Sequence, residues 1–202
     1  MFRKGREHGG ADAALVLSLD SDRAAVEAAR RDPLRFEALY RKYVAQVYNF
    51  ALYETRDHHA AEDLTEQVFL RALRALPRFD ERGTDGASTF RSWLFQICRN
   101  ELINERRHER RHPVAPLDLA AHVVDAEDPA AAVVARDEAE RAWEAVNRLP
   151  AERRQAVVLR FVEEMSAREI GEVMGRTEGA VRVLIHRALR ALARDLDGHA
   201  ES

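Results

Sequence analysis

Residues 166–189 read SAREIGEVMGRTEGAVRVLIHRAL, and this stretch predicts two helices joined by a tight turn. Ser166 and Glu169 have the spacing of a capping box, in which each side chain binds a free amide at the start of the first helix. Gly171 provides the small residue that a close helix crossing needs, and Gly175 tolerates the positive φ of the turn. The pattern predicts a helix-turn-helix. The alternative is a generic helical hairpin whose glycines are ordinary caps.

The second helix of this motif carries a basic face. Val181 and Leu184 face the first helix, whereas Arg182 and His186 lie four residues apart on the side away from the core. This is the geometry of a recognition helix in the major groove, where arginine pairs bidentately with guanine. Arg187 and the arginines at 190 and 194 are better placed for phosphate contacts, which position the protein on the DNA but do not read its base sequence. The alternative is a solvated arginine face.

Upstream, apolar residues recur at helical spacing and no stretch alternates as a strand does. Helices are predicted from Asp32-Pro33 onward, over His58–Leu76, Thr89–Arg110, Asp128–Arg148 and Ala151–Glu163. Residues 112–140 carry seven acids and one base, which is typical of a linker. The predicted fold is all-α, with two small helical domains joined by an acidic flexible linker. The predicted segments are a mobile tail (1–25), a first domain (26–112), the linker (113–128) and a second domain ending in the helix-turn-helix (129–202).

Composition excludes several classes of protein. The chain has 202 residues, 33% charged, with a formal net charge of −3. No run approaches the ~20 apolar residues that span a bilayer, so no membrane insertion is predicted. The start of the chain lacks the pattern of a secretory signal, and Cys98 is the single cysteine. These features predict a cytoplasmic protein without a disulfide framework.

The helix predicted over Thr89–Arg110 combines aromatic and basic residues. Phe90, Trp93 and Phe95 stand in its apolar first half, and its second half is polar and rich in arginine. Aromatic and arginine side chains together are typical of sites for unstacked single-stranded bases, although packing of Phe90 and Trp93 in the core is the alternative. His108 and His112 stand in an arginine run, which opposes a bound cation, so we predict no metal site. No catalytic constellation or nucleotide-binding motif is found, so we predict no cofactor and no enzyme.

Four segments in this order resemble the extracytoplasmic-function (ECF) sigma factors of bacterial RNA polymerase, the smallest members of the sigma-70 family. The segments are FEALYRKYVAQVYNFA, AEDLTEQVFLRALRAL, STFRSWLFQICRNELINERR and LPAERRQAVVLRFVEEMSAREIGEVMGRTEGAVRVLIHRALRAL. They cover roughly residues 33–112 and 140–196. The resemblance implies a protein that binds core polymerase, recognises a promoter and helps to melt it.

The resemblance also implies roles for individual residues. In the first domain, the surface that docks on the β′ clamp would include Asp63, Glu66, Gln67 and Phe69, with plain packing as the alternative for Phe69. The contacts to the minus-10 element, including a pocket for a flipped base formed by the loop Glu81–Ser88 with Asn100, would involve Ser88, Trp93, Asn100, Asn104 and Arg107.

In the second domain, the resemblance implies minus-35 contacts by Arg176, Thr177, Arg182, Val183, His186 and Arg187. The implied partners are core RNA polymerase, through the β′ clamp and the β flap, promoter DNA, and an anti-sigma factor. The acidic linker would follow a basic path through the polymerase interior. Binding by the free monomer to its promoter is expected to be weak.

Two other classes of protein remain as alternatives. A dimeric helix-turn-helix transcription regulator, acting without polymerase, would explain residues 150–196 but not AEDLTEQVFLRAL. A protein-binding adaptor with solvated arginine faces is the second alternative. A palindromic footprint obtained without polymerase would favour the first, and the absence of DNA crosslinks within a polymerase complex would favour the second.

Overall fold

The computed structural model describes residues 22–81, 88–111 and 141–200, and within these ranges the chain is helical with no strand. This confirms the predicted all-α class. The helices are α1 (residues 22–31), α2 (Glu37–Thr55), α3 (His58–Ala75), α4 (Phe90–Arg111), α5 (residues 141–148), α6 (Ala151–Phe161), α7 (Ala167–Met174) and α8 (Glu178–Ala200), with 3-10 turns at Pro33–Phe36 and Leu76–Arg78. We call α1–α4 the N-terminal unit and α5–α8 the C-terminal unit.

Local capping fixes where the helices of the N-terminal unit begin. The Asp32 side chain accepts a hydrogen bond from the Leu34 amide, and the chain makes a 3-10 turn before α2. Arg56 adopts a left-handed conformation, with φ of 58°, and ends α2. Asp57 then caps α3, because its carboxylate accepts a hydrogen bond from the Ala60 amide at 2.9 Å. Two residues therefore suffice to connect α2 to α3.

The last residues of the mobile tail predicted over 1–25 belong instead to α1. Residues 22–25 are helical, and residues 1–21 lie outside the described residues. Asp22 is buried and accepts hydrogen bonds from Lys42 Nζ, at 2.6 Å, and from the Tyr43 hydroxyl. Burial, followed by the nearby Asp22 carboxylate, raises the pKa of Tyr43, so its proton stays in this contact. This long-range anchoring is the reason that α1 belongs to the folded unit.

One buried apolar cluster runs through both units. Phe50 of α2 and Phe95 of α4 meet edge to face at 5.5 Å in this cluster, which also contains Leu159 of α6 and Ile170 of α7. A second cluster lies within the C-terminal unit and contains Val146, Leu149, Val157 and Ala188. The joining surface is formed largely by α7, which packs against α4.

Two helix ends differ slightly from their predicted positions. α3 ends at Ala75, and Pro77 lies within the following 3-10 turn. α6 ends at Phe161 rather than Glu163, because Glu164 takes a left-handed conformation with φ of 52°. The predicted linker (113–128) and the predicted start of the second domain at 129 lie outside the described residues.

Candidate nucleic-acid interface

The turn between α7 and α8 has the geometry of a helix-turn-helix. The Ser166 hydroxyl accepts a hydrogen bond from the Glu169 amide at 3.2 Å, and the Glu169 carboxylate accepts one from the Ser166 amide at 2.8 Å. Gly175 is left-handed, with φ of 65°. A Cβ added at Gly171 would lie 2.6 Å from the Arg176 carbonyl oxygen. The predicted capping box, close crossing and turn are therefore all confirmed.

The exposed face of α8 carries the residues predicted to contact the minus-35 element. Arg182, Val183, His186 and Arg187 are all exposed. Val183, an apolar residue, is 49% exposed. Thr177 is exposed too, and its hydroxyl caps α8 by accepting a hydrogen bond from the Ala180 amide.

Two of these arginines already have acidic partners in the structure. Arg176 donates to both carboxylate oxygens of Glu152 at 2.8 Å, which ties the turn to the start of α6. Arg182 donates to Glu178, one helical turn earlier, at 2.5 Å. Both pairs are exposed, so DNA phosphates and bases can compete for these guanidinium groups.

Four of the predicted minus-10 residues share one side of α4. Trp93, Asn100, Asn104 and Arg107 are separated by seven, four and three residues, a spacing that keeps them on one helical face. The last three are exposed, whereas Trp93 is half-buried. The structure therefore brings these four side chains into one line along the helix.

A cavity of about 430 Å³ lies beside Trp93. Its walls include Phe79, Thr89, Ser92, Trp93, Gln96 and Glu172. The centroid of the Trp93 ring lies 4.7 Å from that of Phe79 and 5.6 Å from that of Phe90. One side of Trp93 is therefore packed against the core, as the alternative interpretation predicted. Its other side faces the cavity. An aromatic wall beside a polar rim suits a planar base.

Ser88 holds the start of α4 rather than facing solvent. Its hydroxyl donates to Glu81 at 2.7 Å and accepts a hydrogen bond from the Phe90 amide at 3.2 Å. Glu81 also accepts hydrogen bonds from the amide and hydroxyl of Thr89. Burial opposes ionisation of Glu81, but these hydrogen bonds outweigh it and keep the pKa of the carboxyl below its ordinary value. The rest of the predicted flipped-base loop, residues 82–87, lies outside the described residues.

The predicted polymerase-docking surface on α3 divides into an exposed and a buried part. Asp63, Glu66 and Gln67 are exposed. Phe69 is only 5% exposed, and its ring packs edge to face on Tyr40 at 4.8 Å. Phe69 therefore packs in the interior, as the alternative interpretation predicted, and lies beneath the exposed side chains of α3.

Sequence reasoning missed two apolar residues of this surface and part of the cavity wall. Leu70 is 44% exposed and Tyr40 is 43% exposed. The signal for Leu70 was its spacing from Glu66 and Gln67, which puts an apolar residue on an otherwise polar face. No sequence pattern marks Gln96 as a residue of the cavity wall, because that wall forms only when α4, α7 and the segment that follows α3 pack together.

Two other features of the described residues bear on function. Cys98 is fully buried, and burial raises the pKa of its thiol, so it is an unreactive core residue. No helix in residues 22–81, 88–111 or 141–200 combines the length and apolar character that crossing a bilayer requires.

Two family models match the chain and cover most of both units. Sigma-70 region 2 matches residues 39–112, and Sigma-70, region 4 matches residues 139–192. The first match contains the α3 surface and the α4 face. The second match contains the helix-turn-helix.

Three similar proteins are all named ECF RNA polymerase sigma factors. The chain is 36% identical over 167 residues to the ECF RNA polymerase sigma factor BldN of Streptomyces coelicolor, covering 82% of this chain and 61% of the relative. It is 32% identical to the ECF RNA polymerase sigma factor SigE of Mycolicibacterium smegmatis, covering 82% of this chain and 63% of the relative. It is 33% identical to ShbA of Streptomyces griseus, another ECF RNA polymerase sigma factor, covering 67% of this chain and 72% of the relative. The chain thus spans less than two thirds of the length of BldN and SigE.

Two solved structures share the fold. The sigma factor RpoE in complex with the anti-sigma factor NepR, from Bartonella quintana, aligns with a TM-score of 0.62 at 22% identity, covering 80% of this chain and 96% of that one. CnrH in complex with the cytosolic domain of CnrY aligns with a TM-score of 0.64 at 24% identity, covering 88% of this chain and 97% of that one.

Proposed function

The chain belongs to the ECF sigma factors of the sigma-70 family, and we propose that it binds core bacterial RNA polymerase and directs transcription initiation at specific promoters. The observation that supports this proposal is that one chain presents two separate surfaces suited to nucleic acid. One is the exposed face of α8, and the other is the face of α4 beside the Trp93 cavity. A helix-turn-helix regulator needs only the first.

The proposed contact to the minus-35 element is direct readout by α8. Arg182, Val183 and His186 point away from the core and are free of the packing that fixes Val181. In the major groove an arginine pairs bidentately with guanine, worth roughly 1–3 kcal/mol of discrimination against a wrong base. Thr177, Arg176 and Arg187 lie at the edges of this face and suit phosphate contacts.

The proposed contact to the minus-10 element is capture of an unstacked base. Extruding a base costs a few kcal/mol, which stacking and edge contacts in a pocket offset. Trp93 and Phe79 provide aromatic surface, and Gln96 provides hydrogen-bonding groups at the rim. Asn100, Asn104 and Arg107 continue along α4 and would bind the adjacent strand, with Ser88 holding the start of the helix.

The proposed polymerase contact is made by α3. Asp63, Glu66 and Gln67 provide a polar, acidic face, and Leu70 adds an exposed apolar side chain to it. Phe69 acts from beneath by fixing the helix. We assign this face to the β′ clamp and part of the C-terminal unit to the β flap. The acidic linker predicted over residues 113–128 would pass through the polymerase interior.

The protein works by binding, and the polymerase performs the chemistry. Within the described residues, no group of three metal-ligating side chains comes together. Because bacterial RNA polymerase works in the cytoplasm, we propose that the protein acts there too. The solved relatives RpoE and CnrH were captured with NepR and CnrY. We propose that this chain also has a protein inhibitor, of the anti-sigma class.

Run-off transcription tests the proposal. Purified core polymerase and fragmented genomic DNA are incubated with and without the protein, and new RNA 5′ ends are mapped. Discrete starts that require the protein support the proposal, and their upstream sequences give both promoter elements. If a direct titration shows no binding to core polymerase, the proposal fails. A palindromic footprint of the protein alone would instead favour a dimeric regulator.

A matched pair of variants sharpens the test at α8. Arg182→Ala should lower transcription from mapped promoters and relax the preference at one base pair of the minus-35 element. Arg182→Lys keeps the charge but lacks the rigid planar fork of the guanidinium, so it should retain binding while weakening the same preference. Equal sequence preference in all three proteins would contradict direct readout by Arg182.

A further inference from the structure

The second residue of α8 is a glycine that the packing of the chain does not require. Gly171 is needed for the close helix crossing, and Gly175 for its left-handed backbone. At Gly179, in contrast, a Cβ would meet no atom within 4 Å, and the residue lies in an α-helix. Alanine favours a helix more than glycine does, so the free chain would accept alanine at this position. The open space over Gly179 is therefore available to a molecule outside the chain.

Gly179 and Val183 lie one helical turn apart on the exposed face of α8. Val183 is 49% exposed although it is apolar, whereas Val181 is buried on the side of the core. Arg182 and His186 border the pair and are exposed too. We call Gly179 and Val183 the apolar strip. One end of the strip has no side chain, and the other end has a short, branched, apolar one.

The surroundings of the apolar strip favour DNA as its partner. Arg182, Arg187 and Arg190 are exposed around it, and a basic border of this kind attracts phosphates. The acidic neighbour Glu178 is paired with Arg182. The only apolar group on a base edge in the major groove is the 5-methyl group of thymine. Because valine cannot exchange hydrogen bonds with a base, this methyl group is the feature that it can recognise.

Contact between valine and a thymine methyl group requires a close approach of the helix. A valine side chain is short, whereas an arginine reaches a base from farther away. The start of a recognition helix is the part that meets the base edges, so a Cβ at residue 179 would be among the first atoms to meet the DNA. Glycine allows a backbone to approach a ligand more closely than any other residue does.

We propose that Val183 recognises the 5-methyl group of a thymine in the minus-35 element, and that Gly179 allows α8 to approach the major groove closely enough for this contact. The inference rests on the proposed function, because it assigns a base preference to the face that would read the minus-35 element. Val183 directly follows Arg182, so the thymine should belong to a base pair next to the one that Arg182 contacts.

Replacement of single thymines in the DNA tests the contact of Val183. In promoters mapped by run-off transcription, each thymine of the minus-35 element, on either strand, is replaced in turn by deoxyuridine, which lacks only the 5-methyl group. With wild-type protein and core polymerase, one such replacement should lower transcription roughly threefold to fivefold, the scale of burying one methyl group. With Val183→Ala, the thymine and uracil promoters should be equally active.

Leu189→Ala is the matched control for Val183→Ala. It removes an apolar side chain that is 42% exposed on the same helix but lies farther from the turn. This variant should therefore keep the wild-type loss on the uracil promoter. Because all three proteins are compared on the same pair of DNAs, any effect of uracil on the DNA itself cancels.

Replacement of Gly179 tests the close approach. Gly179→Ala should be at least as stable to urea as the wild type and should bind core polymerase equally well. It should nevertheless lower transcription several-fold from promoters that depend on their minus-35 element. Ala193→Leu is the control, because it adds bulk to an exposed residue of α8 farther from the turn and should leave transcription unchanged. A merely structural role of Gly179 would instead appear as a loss of stability.

Several outcomes would overturn the inference. The minus-35 element could contain no thymine on either strand, no thymine in it could respond to loss of the methyl group, or Val183→Ala could keep the wild-type response. Full activity of Gly179→Ala would refute the close approach. Failure of the chain to bind core polymerase would refute the proposed function instead. The same thymine-to-uracil series, on duplex DNA that the chain binds by itself, would then still decide what Val183 recognises.

Discussion

At the scale of single residues, two positions control the C-terminal unit in different ways. Gly171 matters for the side chain it lacks, because a Cβ at this position would lie only 2.6 Å from the Arg176 carbonyl oxygen. Glu163 matters for the charge that it brings into a buried site. Burial raises the pKa of Glu163 to about 7, and Arg91 offsets only part of that rise.

Gly171→Ala should destabilise the chain by roughly 1–3 kcal/mol, because the added methyl group must displace backbone. Gly179→Ala is the matched control, since nothing lies within 4 Å of its Cβ and alanine favours a helix. Urea unfolding at pH 7 measures both free energies. Equal effects of the two substitutions would contradict the close crossing.

Glu163→Gln should change how stability depends on pH. The pKa of about 7 in the folded state lies above the ordinary glutamate value of 4.5, so the folded state binds more protons between these values. Wild-type stability should therefore fall as pH rises from about 4.5 through 7, by on the order of 1–3 kcal/mol relative to the variant. Urea unfolding of both proteins at several pH values checks this. Parallel pH profiles would show that Glu163 titrates normally.

At the scale of elements, short-range signals set the helix ends while distant contacts decide which faces are buried. The capping box of α7 is formed by the two residues that the sequence indicated. On α3, Leu64 and Val68 are buried as their spacing predicts, but Phe69 is buried as well and Leu70 is exposed. Rings of the 3-10 turn and of α2 cover Phe69 at 6.3 and 4.8 Å.

Ser166→Ala should cost about 0.5–2 kcal/mol, because the Glu169 amide loses its acceptor at the start of α7. Ser166→Thr keeps the hydroxyl and should lose much less. Thermal unfolding followed by circular dichroism compares the two. A Thr variant as unstable as the Ala variant would show that the hydroxyl is not the stabilising group.

At the scale of the whole molecule, the continuous apolar cluster couples the two units. Phe95 and Leu102 of α4 belong to the same cluster as Ile170 and Val173 of α7. Unfolding either unit alone would expose apolar surface of the other. The buried carboxylates of Glu54 and Glu163 also lie at this interface, and each has an arginine partner in the other unit.

Calorimetry of the full chain should therefore show one cooperative transition, with equal calorimetric and van't Hoff enthalpies. Val173→Ala, which removes buried methyl groups of α7, should lower the melting temperature of the whole chain. Val183→Ala, on the exposed face of α8, is the control and should leave it nearly unchanged. Two separated transitions in the wild type would show that the units fold independently.

The sequence by itself determined the helical class, the helix-turn-helix and the exposed α8 face, because these depend on residues a few positions apart. Capping at Ser166, the turn at Gly175 and the spacing of Arg182 and His186 are such local features. Only the tertiary structure decided the burial of Phe69, the anchoring of Asp22 and the pairing of Arg91 and Arg154 with glutamates of the other unit. Arg91 and Glu163 are 72 residues apart, and Glu54 and Arg154 are 100 apart. Their pairing depends on how distant helices pack, and no periodicity within one helix carries that information.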